Sequence, residues 1–342
     1  MITNQLCGKV ILYLSARTFN LENQIKSKLE SLGAIVHFYD ERLKDSNLSK
    51  AIIRVNKNIL KTRIEKYYRS ILATFKNNTV DYLFVVRGEV VPEFFLKHFK
   101  KDHPDCTFIF YNWDSFINTP NTSTLLHLYD KAFSFDPQDA KQYNISFRPL
   151  YYIDDYKNIK TSQSQKYDVL FLGTAHSDRY IISTKVKDFV EKHGKTMFCY
   201  YFMHSKWVYY FKKFFDNTFQ YMDVKRLSFR SLSLNEILKL YGESRVILDI
   251  NHPNQKGLTM RTFEAIGAKK KLITTNAEIA KFSFYNKENI FILDRNNFNL
   301  DISFFESSYQ DIPEDIYKKL SIDGWLYNLF VEEEKEFWNQ FI

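Results

Sequence analysis

The strongest constraint on the fold is an alternation of short apolar runs with amphipathic stretches. Three apolar runs, KVILYLS (9–15), DYLFVVRG (81–88) and TFIFYNWD (107–114), are each followed by a stretch with helical periodicity. A long polar helix pattern over residues 48–76 belongs to the same series. Strands that are apolar along their whole length are buried on both faces, and strands linked by helices run parallel. The pattern therefore predicts parallel sheets with helices on both faces.

The alternation occurs twice, with a polar stretch between the two series. Residues 154–166, DDYKNIKTSQSQK, have the composition of a linker, and the strand pattern YDVLFLGT (167–174) restarts the alternation. We therefore predict an α/β fold with two doubly wound domains that face each other across a cleft. The predicted bounds are an N-terminal domain at 1–155, a C-terminal domain at 156–322 and a helical tail at 323–342.

Composition restricts the class of protein but not its ligand. The chain has 342 residues, of which 45% are apolar, and its net charge is +8. A basic chain suits nucleic acid, an anionic membrane surface or a phosphorylated substrate. Because the basic residues are dispersed and form no single stripe, we expect no nucleic-acid partner. No window of about 18 residues is apolar enough to span a membrane.

Several motifs of other enzyme classes are missing from the sequence. Cys7, Cys106 and Cys199 are far apart and lack metal spacing, so we expect reduced thiols in a cytoplasmic protein. The sequence also has no Walker loop, no GxSxG elbow and no DxD pair between strands. We therefore expect no bound metal and no separate cofactor. Metal-dependent sugar transfer on a single nucleotide-binding domain is disfavoured.

A charged pair interrupts the apolar pattern of one predicted helix in the second series. Arg261 and Glu264 follow the strand pattern at 246–250, and open α/β sheets bind ligands just outside the carboxyl ends of their strands. Gly257 is predicted to begin this helix, whose free N–H groups can hold a phosphate. Arg261 could bind a diphosphate and Glu264 could accept hydrogen bonds from a ribose. An ordinary ion pair within the helix explains the spacing equally well.

A second candidate site follows the strand pattern at 167–174. The stretch FLGTAHSDRY (171–180) places Gly173 at the strand end, with His176 and Arg179 at the start of the next helix. A glycine permits close backbone approach, and the helix start favours anions. These residues are therefore candidates for a phosphate cradle. The stretch lacks the full glycine pattern of a dinucleotide fingerprint, and a plain turn is the alternative.

Two carboxylates of the first series are candidate catalytic groups. Glu89, in VVRGEVVP (85–92), and Asp114, in FYNWDSFINTP (110–120), each follow a predicted strand. Either could act as a general base, and Asp114 could also accept hydrogen bonds from sugar hydroxyls. The alternatives are a charged loop at Glu89 and a helix cap at Asp114.

The stretch KWVYYFKKFFDNTF (206–219) combines aromatic residues with lysines in a helical pattern. A basic amphipathic helix can lie on an anionic membrane. A core helix with solvated lysines explains the pattern equally well. Peripheral contact with the inner face of the plasma membrane is therefore one of two expectations for this stretch.

The motifs together resemble one known family. On FLGTAHSDR (171–179), VILDINHPNQKGLTMRTFEAIGAKKKLITTN (246–276) and, less strongly, FYNWDS (110–115), the chain resembles bacterial GT-B glycosyltransferases. Within these it is similar to the "glycosyl transferases group 1" and spore-maturation-like (CgeB-like) proteins of capsule and lipopolysaccharide clusters. The resemblance covers the second domain, and the first domain only in its layout.

The resemblance implies two Rossmann-like domains, with a nucleotide sugar held mainly by the second domain and the C-terminal helices crossing back to the first. Glu264 matches the family carboxylate that binds the ribose, and Arg261 and Arg179 match positions used for the diphosphate. Many retaining members have a second Glu eight residues before the first, where this chain has Lys256. The contacts to the donor sugar, and retention or inversion, therefore stay open.

The resulting expectation is sugar transfer from a nucleotide diphosphate sugar to a glycan or lipid-linked acceptor of a bacterial surface polysaccharide. Cationic side chains and helix N-termini would stabilise the leaving diphosphate. If the enzyme inverts, Glu89 or Asp114 would deprotonate the acceptor. The alternatives are a two-domain nucleotide-sugar epimerase and a non-catalytic binding module of a polysaccharide assembly complex.

Overall fold

The computed structural model divides the chain into two compact units. It describes residues 5–18, 20–42, 57–160, 165–215, 219–220, 222–253 and 255–342, with the backbone alone at 57–60. The first unit comprises Met1–Pro149 and Ile322–Ile342, and the second comprises Leu150–Ser321. Part of the helix predicted over 48–76 lies outside the described residues, as do residues 216–218 of the basic aromatic stretch.

The first unit is built on a six-stranded parallel sheet with the order β2-β1-β3-β4-β5-β6. Its strands are β1 (Val10–Ser15), β2 (Ile35–Asp40), β3 (Tyr82–Val86), β4 (Thr107–Asn112), β5 (Lys131–Ser134) and β6 (Ser146–Phe147). The helices between them are α1 (Leu21–Ser31), α2 (Lys57–Phe75), α3 (Glu93–Asp102), α4 (Pro120–Ser123) and α5 (Pro137–Tyr143). Because the central strands are apolar on both faces, helices must cover both sides of this sheet.

The last two helices of the chain, α12 (Ile322–Phe330) and α13 (Lys335–Asn339), complete the core of the first unit. Trp325 is fully buried, with its ring centroid 4.8 Å from that of Tyr111 on β4. The ring of Trp338 lies 4.2 Å from the buried guanidinium of Arg148. These contacts pack α12 and α13 in the unit whose sheet contains β1 to β6.

The second unit has its own six-stranded parallel sheet, with the order β12-β11-β10-β7-β8-β9. Its strands are β7 (Tyr167–Thr174), β8 (Met197–Phe202), β9 (Leu227–Ser228), β10 (Ser244–Asp249), β11 (Lys271–Thr274) and β12 (Ile290–Ile292). Its helices are α6 (Asp154–Lys157), α7 (Arg179–Lys192), α8 (Lys206–Phe215), α9 (Leu234–Gly242), α10 (Met260–Gly267) and α11 (Glu314–Lys319). The two sheets confirm the predicted α/β class with two doubly wound parallel domains.

Both sheets reverse their strand order at one point, and this point positions a site. In the second sheet the chain runs outward from β7 through β8 and β9, and then returns to the other side of β7 as β10. The helices after β7 and β10 therefore leave on opposite faces, which opens a crevice at the carboxyl ends of these two strands. Such switch points are where doubly wound sheets bind their ligands.

A glycine permits close packing beside α10. Gly267 ends this helix, and a Cβ atom at this position would lie 2.6 Å from the ring of Tyr152. Tyr152 is itself fixed, because its N–H donates to the carbonyl of Leu320 at 3.0 Å. Because Gly267 has no side chain, α10 packs directly against the ring of Tyr152 at this position.

Candidate functional site

The side chain of Arg179 spans the switch point of the second sheet. Arg179 is the first residue of α7, directly after the β7 loop. Its Nε donates to the carbonyl of Ile250, just beyond β10, at 2.8 Å, and its Nη1 donates to the carbonyl of Thr174 on β7 at 3.4 Å. These two hydrogen bonds hold the guanidinium at the ends of both strands. Its Nη2 atom has no partner among the described residues.

Three guanidinium groups gather at this edge. Burial lowers the pKa of Arg179, the carboxylate of Asp249 opposes this shift, and the charges of Arg261 and Arg295 add to it. This repulsion places both Arg261 and Arg295 within electrostatic reach of Arg179. A cluster of like charges at a strand edge is a suitable place for a polyanion.

Arg261 and Glu264 form an ion pair on α10, as the structural interpretation of their spacing predicted. Arg261 Nη1 donates to Glu264 Oε2 at 2.7 Å and to the hydroxyl of Tyr241 at 3.0 Å, and that hydroxyl donates to the same carboxylate oxygen at 3.1 Å. Both charged side chains keep partial access to solvent. Both hydrogen bonds that the Arg261 side chain makes to described residues use Nη1, which leaves Nε and Nη2 for another partner.

Arg295 lies at the same edge of the sheet, and the sequence motifs did not reveal it. Its Nη1 pairs with Asp178 Oδ2 at 2.6 Å, and its Nη2 donates to Asn251 Oδ1 at 2.6 Å and to Thr275 Oγ1 at 2.9 Å. Asp178 lies at the N-cap position of α7 but makes no side-chain cap, because it pairs with Arg295. The signal that could have found Arg295 is its position just after the strand pattern that forms β12.

A buried carboxylate anchors the start of α10 to the end of β10. Asp249 Oδ2 accepts hydrogen bonds from Thr259 Oγ1 at 2.8 Å and Thr262 Oγ1 at 3.1 Å. Burial raises the pKa of Asp249, and these two hydroxyls oppose the shift. The orientation of α10, and with it the position of Arg261, is therefore set from the strand end.

The remaining predicted residues of the second unit lie in the loops of the same edge. Gly173 is the next-to-last residue of β7, and a Cβ atom there would lie 2.8 Å from the ring of Phe171. Burial, with the charge of Arg179, lowers the pKa of His176 to about 4, so its imidazole is neutral at neutral pH. Gly257 does not begin α10, which starts at Met260, because the loop before it is held by a hydrogen bond from Asn276 Nδ2 to the Gly257 carbonyl at 3.3 Å.

In the first unit, Arg87 connects the two predicted catalytic carboxylates. Arg87 Nη2 lies 3.3 Å from Glu89 Oε2 and 3.5 Å from Asp114 Oδ2. Glu89 Oε2 also pairs with Arg42 Nη2 at 2.5 Å. Asp114 does not cap a helix, because its Oδ1 accepts hydrogen bonds from the Ser115 N–H and from Asn118 Nδ2, each at 2.9 Å. The structure thus gathers both candidates at the carboxyl ends of β3 and β4.

Glu41 is a second residue that the motifs missed. It follows β2 directly, and neither carboxyl oxygen has a hydrogen-bond partner in the described part of the chain. Burial raises the pKa of Glu41 to about 8, opposed by the charges of Arg42 and Arg87. An isolated ionisable group in a loop offers no sequence signal, because its burial depends on the packing around it.

Two further features of the described residues bear on the expected partners. Among the described residues, no group of three or more His, Cys, Asp or Glu side chains is placed to hold a metal ion. None of the described helices has the length and apolar character needed to cross a membrane. A cavity of about 540 Å³ lies elsewhere on the second unit, beside α6 and α9, and none of the predicted site residues lines it.

Comparison with known proteins identifies the fold. No protein-family profile matches the sequence. No curated protein matches it significantly either. Among solved structures, a glycosyltransferase from Rickettsia africae is 15% identical, with a TM-score of 0.51, and the alignment covers 98% of this chain and 93% of that one. The Anabaena protein HepE, solved in complex with UDP and glucose, is 10% identical, with a TM-score of 0.51 and coverage of 97% and 95%. At such identities the likeness establishes the shared two-domain α/β fold, as predicted.

Proposed function

We propose that the chain is a glycosyltransferase that moves a sugar from a nucleoside diphosphate sugar to a glycan or lipid-linked acceptor. The observation that carries this proposal is the cluster of Arg179, Arg261 and Arg295 at the switch point of the second sheet. Three guanidinium groups suit a diphosphate, which carries two or more negative charges in a compact space. The shared fold with the Rickettsia glycosyltransferase, and the UDP and glucose bound by HepE, support the same donor class.

The proposal gives each residue of the second unit a separate task. Arg179 offers Nη2 to the diphosphate, and Arg261 offers Nε and Nη2 while its Nη1 stays on Glu264. Glu264 accepts hydrogen bonds from the ribose hydroxyls. Arg295 holds the loops after β10 and β11 through Asn251 and Thr275, and is therefore a positioning residue.

In the proposed reaction, the bond between the anomeric carbon and the diphosphate oxygen breaks as the acceptor oxygen bonds to that carbon. The diphosphate leaves with the bonding electrons, and the guanidinium groups stabilise its added charge. In an inverting reaction, a carboxylate of the first unit takes the acceptor proton. Asp114 is favoured for this role, because Glu89 Oε2 is already paired with two arginines, Arg42 and Arg87. A role in the synthesis of bacterial surface polysaccharide is part of the proposal.

Thermal unfolding in the presence of nucleosides, nucleoside monophosphates and nucleoside diphosphates tests the donor site. A ligand at one hundred times its dissociation constant raises the free energy of unfolding by about 2.7 kcal/mol. We expect a stabilising nucleoside diphosphate and a much weaker effect of the matching nucleoside. If no nucleotide stabilises the chain, the non-catalytic binding module becomes the better interpretation.

Replacing Arg179 or Arg261 by Ala is expected to weaken diphosphate binding about 10-fold to 150-fold, because a charge-assisted hydrogen bond is lost. Binding of the nucleoside alone should change little. Glu264→Gln should instead weaken nucleoside and diphosphate alike. Arg245→Ala is the matched control, since Arg245 lies at the opposite end of β10 and pairs with Asp168. Equal losses for both ligands in the Arg179 and Arg261 variants would indicate a structural role.

Turnover is expected to persist in EDTA, because arginines supply the charge that a metal provides in other sugar transferases. The measurement is release of nucleoside diphosphate with and without chelator, followed by addition of magnesium or manganese. Activity that is lost in EDTA and restored by either ion would contradict this prediction. Donor that changes its sugar without any acceptor would indicate the epimerase alternative.

A further inference from the structure

The helix α8 presents its apolar residues to solvent. Trp207 is 85% exposed and Phe214 is 83% exposed, and three further aromatic side chains of the helix are exposed with them. We call this set the aromatic face of α8; its members are Trp207, Tyr210, Phe211, Phe214 and Phe215. Among the described residues, five of the eight exposed large hydrophobic side chains belong to this one helix. Exposed apolar patches of this kind mark interaction sites.

The aromatic face is continuous along the helix. Its members are spaced i, i+3, i+4, i+7 and i+8, so at about 100° per residue they occupy a stripe roughly 140° wide. The rings of Phe211 and Phe215 lie 4.8 Å apart, and those of Phe214 and Phe215 lie 5.0 Å apart. Three of the five rings, those of Phe211, Phe214 and Phe215, therefore form one contacting cluster on the stripe.

The opposite side of α8 fixes the helix to the second unit. Tyr209 is buried in the core of this unit, and its hydroxyl donates to the carbonyl of Met222 at 2.9 Å. Val208 packs against the same core. Since this buried side supplies the attachment of the helix, the aromatic face is not needed to hold α8 in place.

Charge identifies the partner of the aromatic face. The helix contains Lys206, Lys212 and Lys213 and no acidic residue. At about 100° per residue, Lys206 and Lys213 lie at one border of the stripe, next to Tyr210. Lys213 Nζ is 3.2 Å from the Tyr209 hydroxyl, and Lys206 and Lys213 are both exposed. Aromatic rings bordered by cations suit the headgroup layer of a membrane, where rings take the interface and lysines meet anionic lipids.

We propose that the aromatic face of α8 docks the protein on a lipid bilayer that contains anionic lipids. The helix lies parallel to the surface, with its rings among the headgroups and its lysines on the lipid phosphates. This inference goes beyond the proposed sugar transfer and does not depend on it. It also selects between the two expectations for this stretch, because a core helix would bury the stripe that α8 exposes.

Sedimentation with lipid vesicles tests the proposal. Wild-type protein should bind vesicles of phosphatidylcholine with phosphatidylglycerol and bind phosphatidylcholine alone much less. The double variant Trp207→Ser/Phe214→Ser should lower the partition coefficient by about tenfold or more, since each lost ring removes apolar area from the interface. Lys206→Gln/Lys213→Gln should lower it by about tenfold on the anionic vesicles alone. The matched control is Ile117→Ser, which removes an equally exposed apolar side chain, 82% exposed, from the first unit.

A second measurement distinguishes insertion from simple charge attraction. Vesicle binding should shift the tryptophan emission to shorter wavelengths, and Trp207→Phe should abolish the shift while binding persists. Light scattering without lipid should give the mass of a monomer for wild type and variants. Wild type that stays in solution with anionic vesicles, or a Trp207→Ser/Phe214→Ser variant that binds as well as wild type, would overturn the proposal. A dimer that this variant dissociates would also overturn it, because a second copy would then cover the face.

Discussion

Replacing Asp114 by Asn is expected to lower turnover at saturating donor about 10²-fold to 10⁴-fold, while donor binding is preserved. The substitution keeps the shape of the side chain and the oxygen that accepts from Ser115 and Asn118. It removes the negative charge at the oxygen that faces Arg87 at 3.5 Å. The loss should therefore appear in the rate constant and not in the affinity for the nucleoside diphosphate.

The matching Glu89→Gln variant separates the two candidate bases. Because Glu89 is paired with Arg42 and Arg87, we expect a smaller loss of turnover for this variant than for Asp114→Asn. Glu93→Gln is the control, since Glu93 is an exposed carboxylate of the same unit that pairs with Lys97. If Asp114→Asn and Glu89→Gln both keep near-native turnover, neither residue is the base, and a retaining reaction becomes the better account.

The contribution of Glu41 to the stability of the protein is expected to fall as the pH rises from about 5 to about 8. Burial raises the pKa of this carboxyl from 4.5 to about 8, so the folded state keeps a proton that the unfolded state releases over this range. Its contribution to stability is therefore complete below pH 4.5 and is lost as the pH passes through 8. The slope is at most about 1.4 kcal/mol per pH unit.

Urea unfolding at several pH values measures this effect. Glu41→Gln is uncharged at every pH, so its free energy of unfolding should lack the Glu41 contribution. The difference between the variant and wild type should therefore grow with pH and be largest at the alkaline end. Glu93→Gln, which removes an exposed carboxylate, should keep the wild-type slope. Parallel pH profiles for wild type and Glu41→Gln would show that Glu41 is not the titrating group.

The local sequence pattern was sufficient to predict the fold class, because every central strand is apolar on both faces. The runs that became β1, β3, β4 and β7 stand out from their polar surroundings, and each is joined to the next strand by a helix. The order of the strands in each sheet could not be predicted from local pattern, because strand pairing, such as that of Ile11 with Tyr82, joins residues far apart in the chain. The reversal at β7 and β10 therefore came from the structure alone.

The positions of candidate residues were predictable where a motif placed them at a strand end, as with Arg179 and Arg261. Their partners were not, since Tyr241 and Arg295 come from other parts of the chain and meet the site only through tertiary packing. The same limit applied to α8. Its periodicity predicted two different faces, but which face meets the core depends on Tyr209 and its contact with Met222.

The division of the first unit between the two ends of the chain has a consequence for synthesis on the ribosome. The sheet of this unit is translated before the second unit, but Trp325 and Trp338, which fill its core, are translated after it. At about 5–20 residues per second, the intervening second unit takes roughly 10–30 s to produce. During this interval the first unit exposes the apolar surface that α12 later covers. The second unit is one continuous segment and can fold as soon as it has been synthesised. A nonsense codon between the second unit and Trp325 would therefore leave the first unit without the helix that fills its core.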